Sequence, residues 1–172
     1  MEVRDQLRGV DMLRALDWVD PDRIGVFGHS YGGYMALMCL LKAPDRFRAA
    51  VSVAPVTDWA LYDTHYTERY LGTPADNPEG YAASSVFPWL ENLQQPDTVR
   101  APESRRARLL LIHGMADDNV LYTHSTRLYR ALQARNLPFE MMAYPGAKHA
   151  LQERDISIHR FNLILDFFGR KL

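Results

Sequence analysis

The six residues Gly28-His29-Ser30-Tyr31-Gly32-Gly33 hold the clearest chemical signal in this sequence. A serine has glycines two places before and two after, between an apolar run over 24–27 and a helical run over 34–42. That is the G-x-S-x-G pattern of a nucleophile elbow, a strand-to-helix turn that presents a hydroxyl. So tight a turn forces strained backbone angles on the serine and brings its flanking segments close together. Hydrogen is therefore expected in place of a side chain at Gly28 and Gly32. Ser30 Oγ then projects out of the fold beside the positive N-terminus of the following helix.

Such a hydroxyl is a nucleophile only when a base takes its proton and an acid fixes the tautomer of that base. In open α/β sheets these groups sit on loops after the carboxyl ends of strands. The loop after an apolar run over 109–112 reads Gly114-Met115-Ala116-Asp117-Asp118-Asn119, and the loop after 138–144 contains Gly146-Ala147-Lys148-His149. Their order along the chain, Ser then Asp then His, is the one this architecture requires. Of the six histidines, His29 is inside the elbow, His113 is at a strand end, and His65, His124 and His159 lie in helical or loop contexts. His149 alone has both the loop and the order. Asp117 and Asp118 are adjacent, and spacing does not separate them: one would face the histidine while the other caps or bonds the loop. No clustered histidines accompany the pair to make a metal site. No metal and no other cofactor is expected.

The elements that must position these groups follow from hydropathy. Apolar residues at Val3, Leu7, Val10, Leu13 and Leu16 give a one-sided helix over 2–18, ended by Asp20-Pro21-Asp22. The runs over 24–27, 49–54, 109–112 and 138–144 read as strands, and the absence of alternation in 49–54 suits a parallel sheet covered on both faces. Helices are expected over 34–42, 123–136 and 156–168, a short one over 86–93, turns over 72–80, and a polar surface loop over 94–107. Strand and helix alternate without repeats, which predicts one open α/β domain with right-handed crossovers.

With 172 residues, 47% of them hydrophobic and 24% charged, the chain can bury a real core. A net charge of −1 offers nothing to nucleic acid or an anionic membrane, and the arginines over 100–108 read as a solvated loop. No signal peptide or membrane span is legible, and no compartment is assigned. The single cysteine, Cys39, excludes an internal disulfide and a cysteine-based metal cluster, and it reads as a small buried hydrophobe.

Assembled in this way, the chain resembles the catalytic domain of the prolyl oligopeptidase family, and within it the bacterial dipeptidyl peptidase IV branch. The resemblance rests on Gly28-His29-Ser30-Tyr31-Gly32-Gly33-Tyr34, Ala54-Pro55-Val56-Thr57-Asp58-Trp59, Tyr66-Thr67-Glu68-Arg69-Tyr70-Leu71-Gly72 and Ile112-His113-Gly114-Met115-Ala116-Asp117-Asp118-Asn119-Val120. It implies an α/β-hydrolase fold, layered α/β/α around a mostly parallel sheet. It also implies a serine peptidase that cleaves after a penultimate Pro or Ala through an acyl-enzyme. By the same resemblance Ser30 is the nucleophile, Asp117 rather than Asp118 the acid, His149 the base, and the Tyr31 N–H one oxyanion donor. Tyr31, Val56, Trp59, Tyr62, Tyr66 and Val120 match positions that line the family's proline-accepting pocket, and Asn119 matches one that contacts the substrate carbonyl. Flat aromatic walls suit a compact ring.

The resemblance also has gaps. The family's hydrolase domain carries several strands before the elbow, a tyrosine hydroxyl that gives a second oxyanion donor, and a propeller whose acidic residues hold the substrate amine. The chain is therefore expected to be the C-terminal part of a larger catalytic domain. Loss of one oxyanion donor costs about 10²–10³ in rate. A bare sheet edge and apolar surface are expected too, with self-association into a homo-oligomer as one way to cover them. The segment over 94–107 is longer than its family counterpart. Prolyl oligopeptidase, acylaminoacyl peptidase or esterase activity, or a silent self-associating fragment, are the alternatives.

Overall fold

The structure is a computed structural model that describes residues 2–94 and 108–172. Four parallel strands form one sheet in the order β1 (Gly25–His29), β2 (Ala49–Val53), β3 (Arg108–Gly114) and β4 (Glu140–Tyr144). Register pairs Gly25 with Ala49, Ala49 with Arg108 and Leu110 with Glu140, so the carboxyl ends of all four strands lie along one rim. The loops that carry the chemistry leave from that rim.

Period-two geometry divides the core into two layers. From β2 and β3, Ala50, Leu109 and Leu111 face one side, where they pack with Val10 of α1 (Glu2–Arg14), Leu37, Leu40 and Leu41 of α2 (Tyr31–Lys42) and Leu128 and Leu132 of α5 (Thr123–Ala134). Ala49, Val51, Val53, Leu110 and Ile112 face the other side and meet Ile164 and Phe167 of α6 (Arg154–Lys171). Burial on both faces is why these two strands show no alternation in the sequence. Cys39 is buried in α2, and burial pushes its thiol up to about 11.

Four expectations are corrected. The first helix stops at Arg14, and i→i−3 bonds from Ala15, Leu16 and Val19 carry the chain onward in tight turns. Leu13 and Leu16 keep the helical spacing but stay exposed, as does Trp18, since the core ends near Val10. Strand β1, expected from 24–27 as a short buried strand, is not fully buried: it lies at a sheet edge, in keeping with the bare edge expected, and Phe27 turns outward with 46% exposure. Two short helices form that hydropathy did not give, α3 (Thr64–Leu71) and α4 (Pro78–Ser84), the second opening inside the stretch expected as turns over 72–80. Their caps explain them. Asp63 accepts the Tyr66 N–H at 2.9 Å, and Asn77 accepts the Gly80 N–H at 3.0 Å with Pro78 opening the helix. Finally, the expected short helix over 86–93 is a 3₁₀ stretch, Phe87–Gln94. The polar loop read over 94–107 and the arginine run over 100–108 lie almost wholly outside the described residues. Among the described residues no helix is long and apolar enough to cross a membrane.

Candidate active site

Ser30 is the single residue between β1 and α2, with φ 61° and ψ −120°. A non-glycine residue there carries strain of about 1–3 kcal/mol. Two backbone bonds fix it: its N–H donates to Val53 O at 2.8 Å, and its carbonyl accepts the Tyr34 N–H at 3.0 Å. The need for glycine is distributed differently from the motif's symmetry. A Cβ on Gly28 would overlap the Gly32 carbonyl, and one on Gly33 would lie 2.5 Å from Val53 O. A Cβ on Gly32 would meet nothing within 4 Å, because it points away from the crossing. Gly28 and Gly33, not Gly28 and Gly32, are the sterically required pair.

His149 lies between the other two groups. Its Nε2 is 2.9 Å from Ser30 Oγ and its Nδ1 is 2.7 Å from Asp117 Oδ2. The neutral imidazole therefore holds its proton on Nδ1 and offers Nε2 to the hydroxyl. The Asp117 side chain is fully buried. Burial alone would raise its pKa, but hydrogen bonds from His113, His149 and the Asn119 N–H outweigh it and hold the carboxyl well below the usual carboxylate range. Asp118 turns the other way and accepts from Lys148 Nζ at 2.7 Å, with both side chains exposed. Adjacency left the two aspartates equivalent, and a lysine thirty places downstream separates them.

Two histidines set aside in the sequence also meet the site. His29 Nε2 donates to the His149 carbonyl at 2.8 Å, and the two rings lie 5.0 Å apart. Burial, then repulsion from His149 when that ring is protonated, lowers the His29 pKa. From β3, His113 Nε2 reaches Asp117 Oδ2 at 3.1 Å, the same oxygen that His149 meets. Both sit at strand ends on the loop-bearing rim, the one sequence cue that could have pointed to them.

The first N–H groups of a helix have no intrahelical acceptor, and Tyr31 opens α2 directly beside Ser30. Burial pushes the Tyr31 phenol up to about 12, so its ring acts as a neutral wall. Trp59 stacks on Tyr66 at 6.0 Å and meets Tyr31, Tyr34 and Tyr62 at 5.3–5.9 Å. A cavity of about 320 Å³ is lined by Tyr31, Trp59 and Tyr66 together with Tyr34, Tyr70 and Glu2. Val56 and Val120 are buried in the core and are not among the residues that line this cavity. Tyr62 donates to Asn119 Oδ1 at 2.8 Å. Among the described residues no group of histidine, cysteine and carboxylate side chains is placed to hold a metal.

The loop that carries Trp59 is fastened to α5. Thr57 N–H donates to His124 Nδ1 at 3.1 Å, and Thr57 Oγ1 donates to the His124 carbonyl at 3.0 Å. Burial, then the nearby His113, pushes His124 down to about 4 from the ordinary 6.5. Unfolded chain therefore takes up a proton that the fold refuses, so stability falls with acidification between pH 6.5 and about 4. The loss from this group is on the order of 3 kcal/mol. Urea unfolding at pH 7 and pH 4.5 should show a smaller difference for His124→Gln than for the parent protein. An equal difference would remove His124 from this role.

Fold and site together define an α/β-hydrolase with a serine, a histidine and a buried carboxylate in line. The chain belongs to the prolyl oligopeptidase family, which matches residues 1–172. It is 39% identical over 160 residues to mouse dipeptidyl peptidase 8, covering 92% of this chain and 17% of that protein. It is 37% identical over 171 residues to dipeptidyl aminopeptidase B of Saccharomyces cerevisiae, covering 98% and 20%. Dipeptidyl peptidase 4 of Porphyromonas gingivalis superposes with a TM-score of 0.87 at 34% identity, over 99% of this chain and 23% of that one. The chain thus spans about a fifth of the length of these relatives.

Proposed function

We propose that this chain supplies the nucleophile, base and acid of a serine dipeptidyl peptidase that releases dipeptides ending in Pro or Ala. The observation that carries the reading is the His149 imidazole, 2.9 Å from Ser30 Oγ and 2.7 Å from Asp117 Oδ2. In the first step Ser30 Oγ attacks the scissile carbonyl carbon while His149 Nε2 takes the hydroxyl proton. Asp117 holds the resulting imidazolium, and the Tyr31 N–H receives the oxyanion. Collapse breaks the C–N bond, His149 returns the proton to the leaving amine, and the dipeptide stays as an ester on Ser30. Water, deprotonated by His149, then releases it.

The tyrosine and tryptophan cluster supports the substrate class. Trp59, Tyr66 and Tyr31 present flat apolar faces to a cavity of about 320 Å³, which suits the compact ring of proline or the methyl of alanine. Asn119, whose Oδ1 accepts from Tyr62, then donates its amide NH₂ to the preceding carbonyl. The test compares Gly-Pro and N-blocked Gly-Pro chromogenic amides. Preference for the free amine is expected. Preference for the blocked amide would replace this reading with an oligopeptidase or acylaminoacyl peptidase.

A further inference from the structure

The Asp117 carboxylate receives four N–H groups, and only one of them, from His149, belongs to the Ser–His–Asp set. Oδ1 accepts the Asn119 N–H at 2.9 Å and the Val120 N–H at 3.0 Å. Oδ2 accepts His149 Nδ1 at 2.7 Å and His113 Nε2 at 3.1 Å. An ionised carboxylate offers about four lone-pair sites. All are filled, which leaves none for a proton.

The His113 tautomer follows from its neighbours. The ring is fully buried on β3, and Nε2 also faces the Val120 carbonyl at 2.8 Å. Carboxylate and carbonyl oxygens only accept, so Nε2 carries hydrogen. Nδ1 faces Ser125 Oγ at 2.7 Å, and the hydroxyl donates to the neutral ring. Ser125 lies in the first turns of α5 and is itself fully buried. A continuous chain of hydrogen bonds therefore runs from Ser125 through His113, Asp117 and His149 to Ser30.

We propose that His113, backed by Ser125, is a positioning residue: it holds Asp117 Oδ2 against His149 Nδ1 and moderates how strongly that oxygen attracts a proton onto His149. The proposal rests on the catalytic reading above. The physics is direct. Oδ1 is held only by N–H groups of its own loop, whereas His113 ties Oδ2 to a central strand. Without that donor, the carboxylate's charge concentrates on His149 and stabilises its protonated form, which cannot accept the Ser30 proton. The other groups around His149 stay as they are: His29 from β1, Arg160 of α6 beyond it, and the Lys148–Asp118 pair in its own loop.

The experiment follows the rate of Ser30 modification by a fluorophosphonate across pH, with proton spectra of the low-field His149 Nδ1–H. His113→Leu should lower the rate about tenfold at neutral pH, modest against the cost of displacing a catalytic group. It should also displace the acid limb to higher pH and move the low-field proton. His113→Gln, which keeps an N–H within reach, should recover most of the rate. Ser125→Ala, a smaller change, should shift limb and proton in the same direction, and it decides the matter if His113→Leu does not fold. An unmoved acid limb and low-field proton in both variants, with only a lower Tm, would overturn the proposal. If the parent protein takes no label, the catalytic reading fails. The low-field proton still judges His113, moved in support or unmoved against.

Discussion

His149→Ala is expected to lower kcat by about 10⁶-fold, the cost of removing one member of a unit that works together. The reason lies in the geometry at Nε2. Among the described residues Ser30 Oγ has one basic partner, 2.9 Å away, and without it the hydroxyl keeps its proton at neutral pH. The fold should survive the change. The loop's backbone is held independently, with Ala116 N–H donating to Ala147 O at 3.0 Å and His29 donating to the His149 carbonyl. Asp117 keeps three of its four donors. Steady-state kinetics on a Gly-Pro amide, read beside a thermal melt, separates the two effects. Activity within a hundredfold of the parent protein would exclude His149 as the base.

Gly28→Ala should cost about 4 kcal/mol or more, at the extreme of single substitutions. The added Cβ meets backbone, not the end of a flexible side chain, and neither wall can retreat. Gly32 belongs to α2, whose next residue is pressed against Val53 O, while Gly28 is in register with Ser52 on β2. Gly32→Ala is the matching control. Its Cβ enters open space, and the change should stay within about 1 kcal/mol. Urea denaturation of both variants decides it. Equal losses would mean that the motif's two glycines are used symmetrically, contrary to the geometry.

The chemistry was more legible in the sequence than the surroundings that tune it. Ser30, Asp117 and His149 could be found because each follows a strand's carboxyl end, and a parallel sheet gathers those ends along one rim. β2 and β3 were legible because burial on both faces erases alternation. Choosing between Asp117 and Asp118 by spacing was impossible, since the choice depends on Lys148 and His113, which meet the loop only in three dimensions. His113 and His29 were passed over for the same reason. The division of labour in the aromatic cluster was equally hidden. Trp59 and Tyr34 line the cavity while packing in the same core cluster as Val56 and Val120. The outward turn of Phe27 depends on β1 having no partner on its outer side among the described residues, a property of the sheet and not of the strand's own residues.

The central claim is that the Ser30 hydroxyl is activated by His149 and Asp117. Treating the protein with a fluorophosphonate and mapping the adduct by peptide mass tests it most directly. A single adduct on Ser30 is expected, slowed by acidification as His149 protonates and absent from Ser30→Ala. A folded protein that takes no label, or takes it on another residue, would contradict the claim.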